Sequence, residues 1–194
     1  MIKDLHRDTS SLTDEDLVKL VSSGEIEKFG ILMERYSPKL FRYGRKFLVD
    51  NDNIEDVVQD VFIKTYTNIK SFDTNQRFSP WIYRIAHNTF VNAIKKNSIS
   101  ALNLFDFDTL LSHTVVDDPI VKEREQREIK QIVDKGLENI EAKYREILVL
   151  YYIEELSYKE IADILQIPTS TVGVRIMRAK AVLKEKYKEL KIEI

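Results

Sequence analysis

Residues Leu156 to Tyr187, LSYKEIADILQIPTSTVGVRIMRAKAVLKEKY, read as two short helices joined by a tight turn. Ser157 and Glu160 have capping-box spacing: the hydroxyl takes one orphan amide of the new helix, and the glutamate reaches back to another. Ile161, Ile164 and Leu165 then recur at i, i+3 and i+4, the stripe of a half-buried helix. Ile167-Pro168 ends it, because proline disfavours helical geometry in the residue before it. A proline near the first turn of the next helix loses no bond, since its donor would be unpaired there. Val172, Ile176, Ala179 and Leu183 give the second helix its buried side. Thr171, Val174, Arg175 and Arg178 cluster on what the periodicity makes its other side. Hydroxyl, methyl and guanidinium groups together suit the major groove, where arginine forks onto guanine and an apolar tip meets a thymine methyl. Lys180, Lys184, Lys186 and Lys188 extend the positive charge toward phosphates. The competing reading is an amphipathic hairpin with a solvated basic face.

Working outward, helix-forming residues dominate the chain and long alternating strands are absent, which predicts an all-α fold. The length of 194 residues suits one large or two small domains. A formal net charge of −2 excludes a general nucleic-acid coat, whose whole surface would be basic. Cysteine is absent, so disulfides, thiolate metal sites and thiol redox sensing are excluded. No apolar run has the length of a membrane span, and MIKDLHRDTS lacks a signal-peptide core; the expected location is cytoplasmic.

Four helical stretches precede the hairpin. Thr13-Asp14-Glu15-Asp16 opens the first, with acidic residues favourable to its dipole, and Gly24 breaks it. Ile26, Phe29, Leu32, Met33 and Tyr36 form the next stripe, with Pro38 expected to kink or restart the helix. Asp52 and Glu55 are spaced as a capping box before Ile54, Val57, Val58, Val61 and Phe62. After the polar loop Ser71 to Arg77, Ser79 is expected to cap and Pro80 to occupy the first position of a helix running to about Lys96. These four predict an N-terminal domain over 14–97. Residues 98–121 lose the periodicity and read as a linker, too apolar at Leu104, Phe105, Phe107, Leu110 and Leu111 for a free tether. A second domain over 122–187 begins with Ile129, Ile132, Val133 and Leu137, continues through Tyr144, Ile147, Leu148 and Tyr151, and closes with the helix-turn-helix.

The joint order of these pieces resembles the bacterial RNA polymerase sigma factors of the extracytoplasmic-function group. LMERYSPKLFRYGRKFL looks like the family's region 2.1, and DNIEDVVQDVFIKTY like region 2.2. FSPWIYRIAHNTFVNAIKK is similar to regions 2.3 and 2.4, and YREILVLYYIEELSYKEIADILQIPTSTVGVRIMRAKAVL to region 4. The match covers most of residues 14–187 in order. It implies a region 2 domain that binds core polymerase, then recognises and melts the minus-10 element. It also implies a region 4 domain whose Thr171, Val174, Arg175, Arg178 and Lys180 meet the minus-35 element. The partners implied are core RNA polymerase, through the clamp of its largest subunit and the flap of its second largest, and promoter DNA. An anti-sigma protein is a further partner the family admits. The chain departs from the family at Gly173 and Val174, where lysine and serine are usual, and at His87, where arginine is frequent.

Two further sets of residues fit that role. Glu55, Asp56, Gln59 and Asp60 occupy the solvent side of the 53–66 helix and suit a basic partner surface, where the plain alternative is a solvated acidic face. Asn88 and Asn92 share a face at i, i+4. Asparagine presents a donor and an acceptor side by side to a base edge. The resemblance places this pair where a flipped minus-10 base is captured. Trp81 and Tyr83 could offer stacking platforms, although a lone tryptophan near a helix start is more often core. Arg77, Arg84, Lys95 and Lys96 could track phosphates or merely solvate the helix.

Catalysis has little footing. His6, His87 and His113 are isolated, no glycine-rich phosphate loop occurs, and Asp117-Asp118 and Glu154-Glu155 are adjacent pairs that read as solvated. No metal, cofactor or enzymatic activity is expected. The competing functions are a helix-turn-helix repressor or activator that does not bind the polymerase core, and a module that titrates another regulator. Asn88 and Asn92 argue against the first, since a duplex-only regulator has no need of them.

Overall fold

Thr13 starts the first helix: its hydroxyl accepts from the Asp16 amide at 3.1 Å, and three acidic side chains follow in the first turn. The computed structural model describes residues 12–45, 47, 51–97 and 140–189. Its first helix, α1 (Asp14–Ser23), ends at Gly24, whose φ of 115° lets its amide turn back to the carbonyls of Leu20 and Val21. That left-handed geometry favours glycine. After a 3-10 turn, Ile26–Lys28, α2 (Phe29–Gly44) runs through Pro38 without interruption. Next come α3 (Asn51–Asn68), a 3-10 turn at Ile69–Ser71 and α4 (Phe78–Asn97). The C-terminal half contributes α5 (Ala142–Leu148), a π-helical turn (Val149–Ile153), α6 (Tyr158–Leu165) and α7 (Thr169–Glu189). No strand occurs among the described residues.

Two helix starts differ from expectation. Helix α3 already begins at Asn51, so Asp52 stands inside the first turn instead of capping it. Helix α4 begins at Phe78, ahead of Ser79 and Pro80, and the Phe78 amide donates to Glu15 Oε1 of α1 at 2.7 Å. A tertiary carboxylate thus does the capping that Ser79 was expected to do, which no local pattern reveals. Pro80 remains within the first turn, where its missing donor leaves no bond unmade.

The core of the N-terminal half is aromatic and branched. Tyr36, Leu40 and Tyr43 of α2 meet Ile54, Val58 and Val61 of α3 and Phe78, Ile82 and Phe90 of α4, all buried. In the C-terminal half, Ile147, Leu150, Ile161, Ile164, Val172, Ile176, Ala179 and Leu183 are buried, as the helix-turn-helix stripe requires. The two sets join in one continuous cluster, because α6 packs directly on α4. The residues expected to open the second domain (129 to 137), the segment 98–121, His6, His113 and Asp117-Asp118 lie outside the described residues.

Glu154 corrects the reading of a solvated pair. The π-helical turn carries its amide to the Val149 carbonyl, five residues back, at 3.0 Å. Its side chain is only 3% exposed. Glu155, at φ 54°, stays outside. A one-residue insertion rotates everything after it by about 100°, and periodicity alone does not announce it.

Candidate nucleic-acid and polymerase interface

The recognition hairpin forms as its residues dictate. Ser157 Oγ accepts from the Glu160 amide at 3.3 Å, and Glu160 Oε2 accepts from the Ser157 amide at 2.7 Å, closing the capping box. Gln166 ends α6 in the left-handed region at φ 54°. The Pro168 carbonyl then accepts from Thr171 and Val172, starting α7. Burial of Val172, Ile176, Ala179 and Leu183 turns one side of α7 inward. Thr171, Val174, Arg175, Arg178 and Lys180 are half-buried, on the flanks of the helix and not on its outermost side. The exposed line is Ser170, Met177, Ala181 and Lys184, with Met177 44% exposed. These four fall at i, i+7, i+11 and i+14, so stepping 100° per residue from the buried stripe would have found Met177 and Lys184.

Helix α4 exposes Asn88, Asn92 and Lys95 along one side. The loop before it is shaped by Asp73, whose carboxylate accepts from the Asn75 amide at 3.0 Å and the Asn75 side chain at 2.9 Å. The Asn75 backbone bond holds the Asp73 carboxyl below the usual range. Trp81 is half-buried, tilted against Phe72 at 5.1 Å and Phe78 at 5.7 Å. Tyr83 is fully buried, its ring edge-on to Tyr43 at 5.3 Å, so it is a core residue and offers no stacking platform. Arg77 is exposed but tied across the molecule, with Nη1 3.1 Å from Glu160 Oε1 of α6. His87 is not isolated either: its Nδ1 lies 2.8 Å from Glu146 Oε1.

On α3, Glu55, Asp56, Gln59 and Asp60 are all exposed, while Ile54, Val57, Val58, Val61 and Phe62 hold the other side in the core. The outward face continues through Ile63, 63% exposed, and Tyr66, 39% exposed. Tyr66 also rests edge-on against Phe29 at 5.2 Å, so Ile63 is the more open of the two. Ile63 follows Gln59 at i+4 and Asp60 at i+3, and Tyr66 follows Ile63 at i+3, a spacing readable in the sequence. Among the described residues no group of three His, Asp or Glu side chains is placed to hold a metal. No helix among them is long and apolar enough to cross a membrane.

A helical unit with an acidic, partly apolar face, joined to a second unit ending in a helix-turn-helix, defines a DNA-binding transcription protein. Residues 32–99 match the family model "Sigma-70 region 2", and residues 130–183 match "Sigma-70, region 4". The chain is 32% identical over 181 residues to the ECF RNA polymerase sigma factor SigW of Bacillus subtilis, covering 89% of this chain and 96% of that protein. It is 34% identical over 186 residues to the ECF RNA polymerase sigma-E factor of Haemophilus influenzae, covering 92% and 97%. The chain belongs to the extracytoplasmic-function sigma factors of the sigma-70 superfamily. It therefore acts with core RNA polymerase in promoter recognition and initiation, which sets aside the polymerase-independent repressor. The fold also resembles CnrH solved with the cytosolic domain of CnrY, at TM-score 0.59 and 24% identity over 91% of this chain and 97% of that one. A second likeness is to the sigma factor RpoE with the anti-sigma factor NepR from Bartonella quintana, at TM-score 0.57 and 21% identity over 87% and 99%.

Proposed function

We propose that residues 14–97 bind the polymerase and handle the minus-10 element, that residues 122–187 bind the minus-35 element, and that 98–121 join them. The exposed face of α3 docks on the clamp through Glu55, Asp56, Gln59 and Asp60, with Ile63 and Tyr66 as the apolar part of the contact. On α4, Asn88 and Asn92 read a base drawn from the melted strand, and Arg77, Trp81 and Lys95 lie within reach of the backbone around it. Unstacking a base costs a few kcal/mol, and an asparagine that pairs it in two bonds returns about 1–3 kcal/mol. Binding energy thus opens the duplex, without nucleotide hydrolysis by this chain. On α7, Thr171, Val174, Arg175, Arg178 and Lys180 contact the minus-35 duplex, and the flap of the second largest subunit steadies this unit. The protein works in the cytoplasm, and an anti-sigma protein is a fitting regulator, as the similar sigma factor RpoE of Bartonella quintana was captured with one.

The observation that carries this reading is the α3 face. A row of exposed carboxylates and amides running into exposed Ile63 and Tyr66 suits a basic, partly apolar partner. Asp56→Lys with Asp60→Lys reverses that face without touching the core. Surface changes of this kind alter stability by no more than about 0.5 kcal/mol, so the melting temperature should hold. Association with core polymerase and transcription should be lost. Equal polymerase binding by the double variant and the wild type would refute the contact.

A further inference from the structure

The outward side of α7 carries an apolar feature that neither the core nor the basic flanks explain. Met177 is 44% exposed. At 100° per residue, Ser170, Gly173 and Ala181 lie within about 40° of it, and Val174 at about 60°. Arg178 and Arg175 are turned away from it by about 100° and about 160°. Ser170, Gly173 and Ala181 are small, so the thioether projects furthest on this side until Lys184, about two turns on.

Gly173 is a second, independent observation. A Cβ there would meet only Tyr158, at 3.4 Å, so packing does not require the glycine. Backbone conformation does not require it either, since Gly24 alone of the described glycines has a positive φ. A helix interior disfavours glycine, and a glycine kept at such a place suits a backbone that another molecule approaches closely. The occupant of this face follows from its rim and its spacing. Arg175, Arg178 and Lys180 flank it, which suits a polyanion. Val174 and Met177 are about 4.5 Å apart along the axis, at about 1.5 Å per residue, little more than one base-pair step of about 3.4 Å. Two apolar tips so spaced meet adjacent base pairs.

We propose that Met177, with Val174 beside it, sets base selection at the minus-35 element by covering thymine methyl groups of adjacent pairs. Gly173 lets α7 seat deeply enough for that contact. This rests on the assignment of α7 to the minus-35 duplex and sharpens it. Arginine forks onto guanine, whereas an apolar tip distinguishes thymine by its C5 methyl. With the arginines on the flanks, they face the groove walls where the phosphates run, and the base edges face Met177 and Val174. Methionine, unbranched and polarizable, adapts to such a surface.

In the test, the full-length protein with core polymerase selects from promoter duplexes randomised in the minus-35 region, and the bound pool is sequenced. Adjacent A·T pairs should be enriched there. In a selected duplex each thymine of either strand is then replaced by deoxyuridine, which lacks only the C5 methyl. Binding should weaken about fourfold at one or two positions, the scale of one buried methyl. Met177→Ala should erase the difference between thymine and deoxyuridine at one position, and Val174→Ala at its neighbour. Both variants should bind the deoxyuridine duplex as the wild type does. Gly173→Leu should weaken binding to every selected duplex with helix content intact by circular dichroism. A wild type indifferent to every methyl, or a Met177→Ala variant that keeps the whole thymine preference, would overturn the methionine contact. Sequence preference at minus-35 without any methyl effect sinks that contact and leaves α7 on the element. No preference at minus-35 at all sinks the assignment of α7, and the methionine contact with it.

Discussion

Gly44 and Gly173 both lack a side chain within a helix, for opposite reasons. A Cβ on Gly44, at the end of α2, would lie 2.5 Å from Phe90 Cζ and 2.7 Å from Ile54 Cγ2. The close approach of three helices needs the glycine there. On Gly173 the added carbon would meet only Tyr158 Cε2 at 3.4 Å, an ordinary contact. Gly44→Ala should therefore lose about 1–3 kcal/mol through overpacking, whereas Gly173→Ala should gain about 1 kcal/mol from helix propensity. Urea unfolding of both variants checks this; a destabilised Gly173→Ala would show that Tyr158 is held too rigidly to yield. The cost of Gly173 was legible as a glycine inside a helical pattern. The need for Gly44 was not, since it depends on Ile54 and Phe90 of two other helices.

Among the elements, α6 is the one most completely written in its own residues. Its capping box, its apolar stripe and the proline after it all appear where the local pattern puts them. Ser157→Ala removes the hydroxyl that accepts from the Glu160 amide, and should cost about 1 kcal/mol. The thermal midpoint should fall, and an unchanged midpoint would mean water replaces the cap without loss. The variant also frees Glu160 of its bond from the Ser157 hydroxyl, 2.7 Å long, while leaving the Arg77 pair in place. Helices α3 and α4 are less local. Their interiors follow the stripe, but α4 begins where a carboxylate from α1 reaches the Phe78 amide. The π-helical turn after α5 is likewise invisible to a count of apolar spacing, and it is what turns Glu154 inward, 3.9 Å from Lys39 Nζ of α2.

At the scale of the whole molecule, three tyrosines tie the interior to its charges. Burial, aided by Asp14 beside Tyr36, Glu146 beside Tyr43 and Glu154 beside Tyr83, pushes all three phenols well above their ordinary 10.0. In the unfolded chain they would ionise near that value. The folded state thus holds protons that the unfolded state gives up. Their contribution is intact below about pH 10 and declines as pH rises beyond it. Alkaline titration should show unfolding above about pH 10, with tyrosinate absorbance from these residues appearing together with the loss of helix. Tyrosinate signal from all nine tyrosines before any structural loss would contradict their burial.

Sequence by itself determined the helices of both halves among the described residues and the inward stripe of each. Those features rest on periods of 3.6 residues, caps and charges a few positions apart, and all of them are local. Only the tertiary structure decided that Tyr83 and Glu154 are buried, that His87 and Arg77 have carboxylate partners, and that α6 rests on α4. His87 and Arg77 find carboxylates 59 and 83 positions away, Tyr83 packs on Tyr43 of another helix, and a π-helical turn brings Glu154 inward. Which glutamate finds which tyrosine, arginine or histidine depends on how two finished units are laid together, and no residue's neighbours in the chain carry that information.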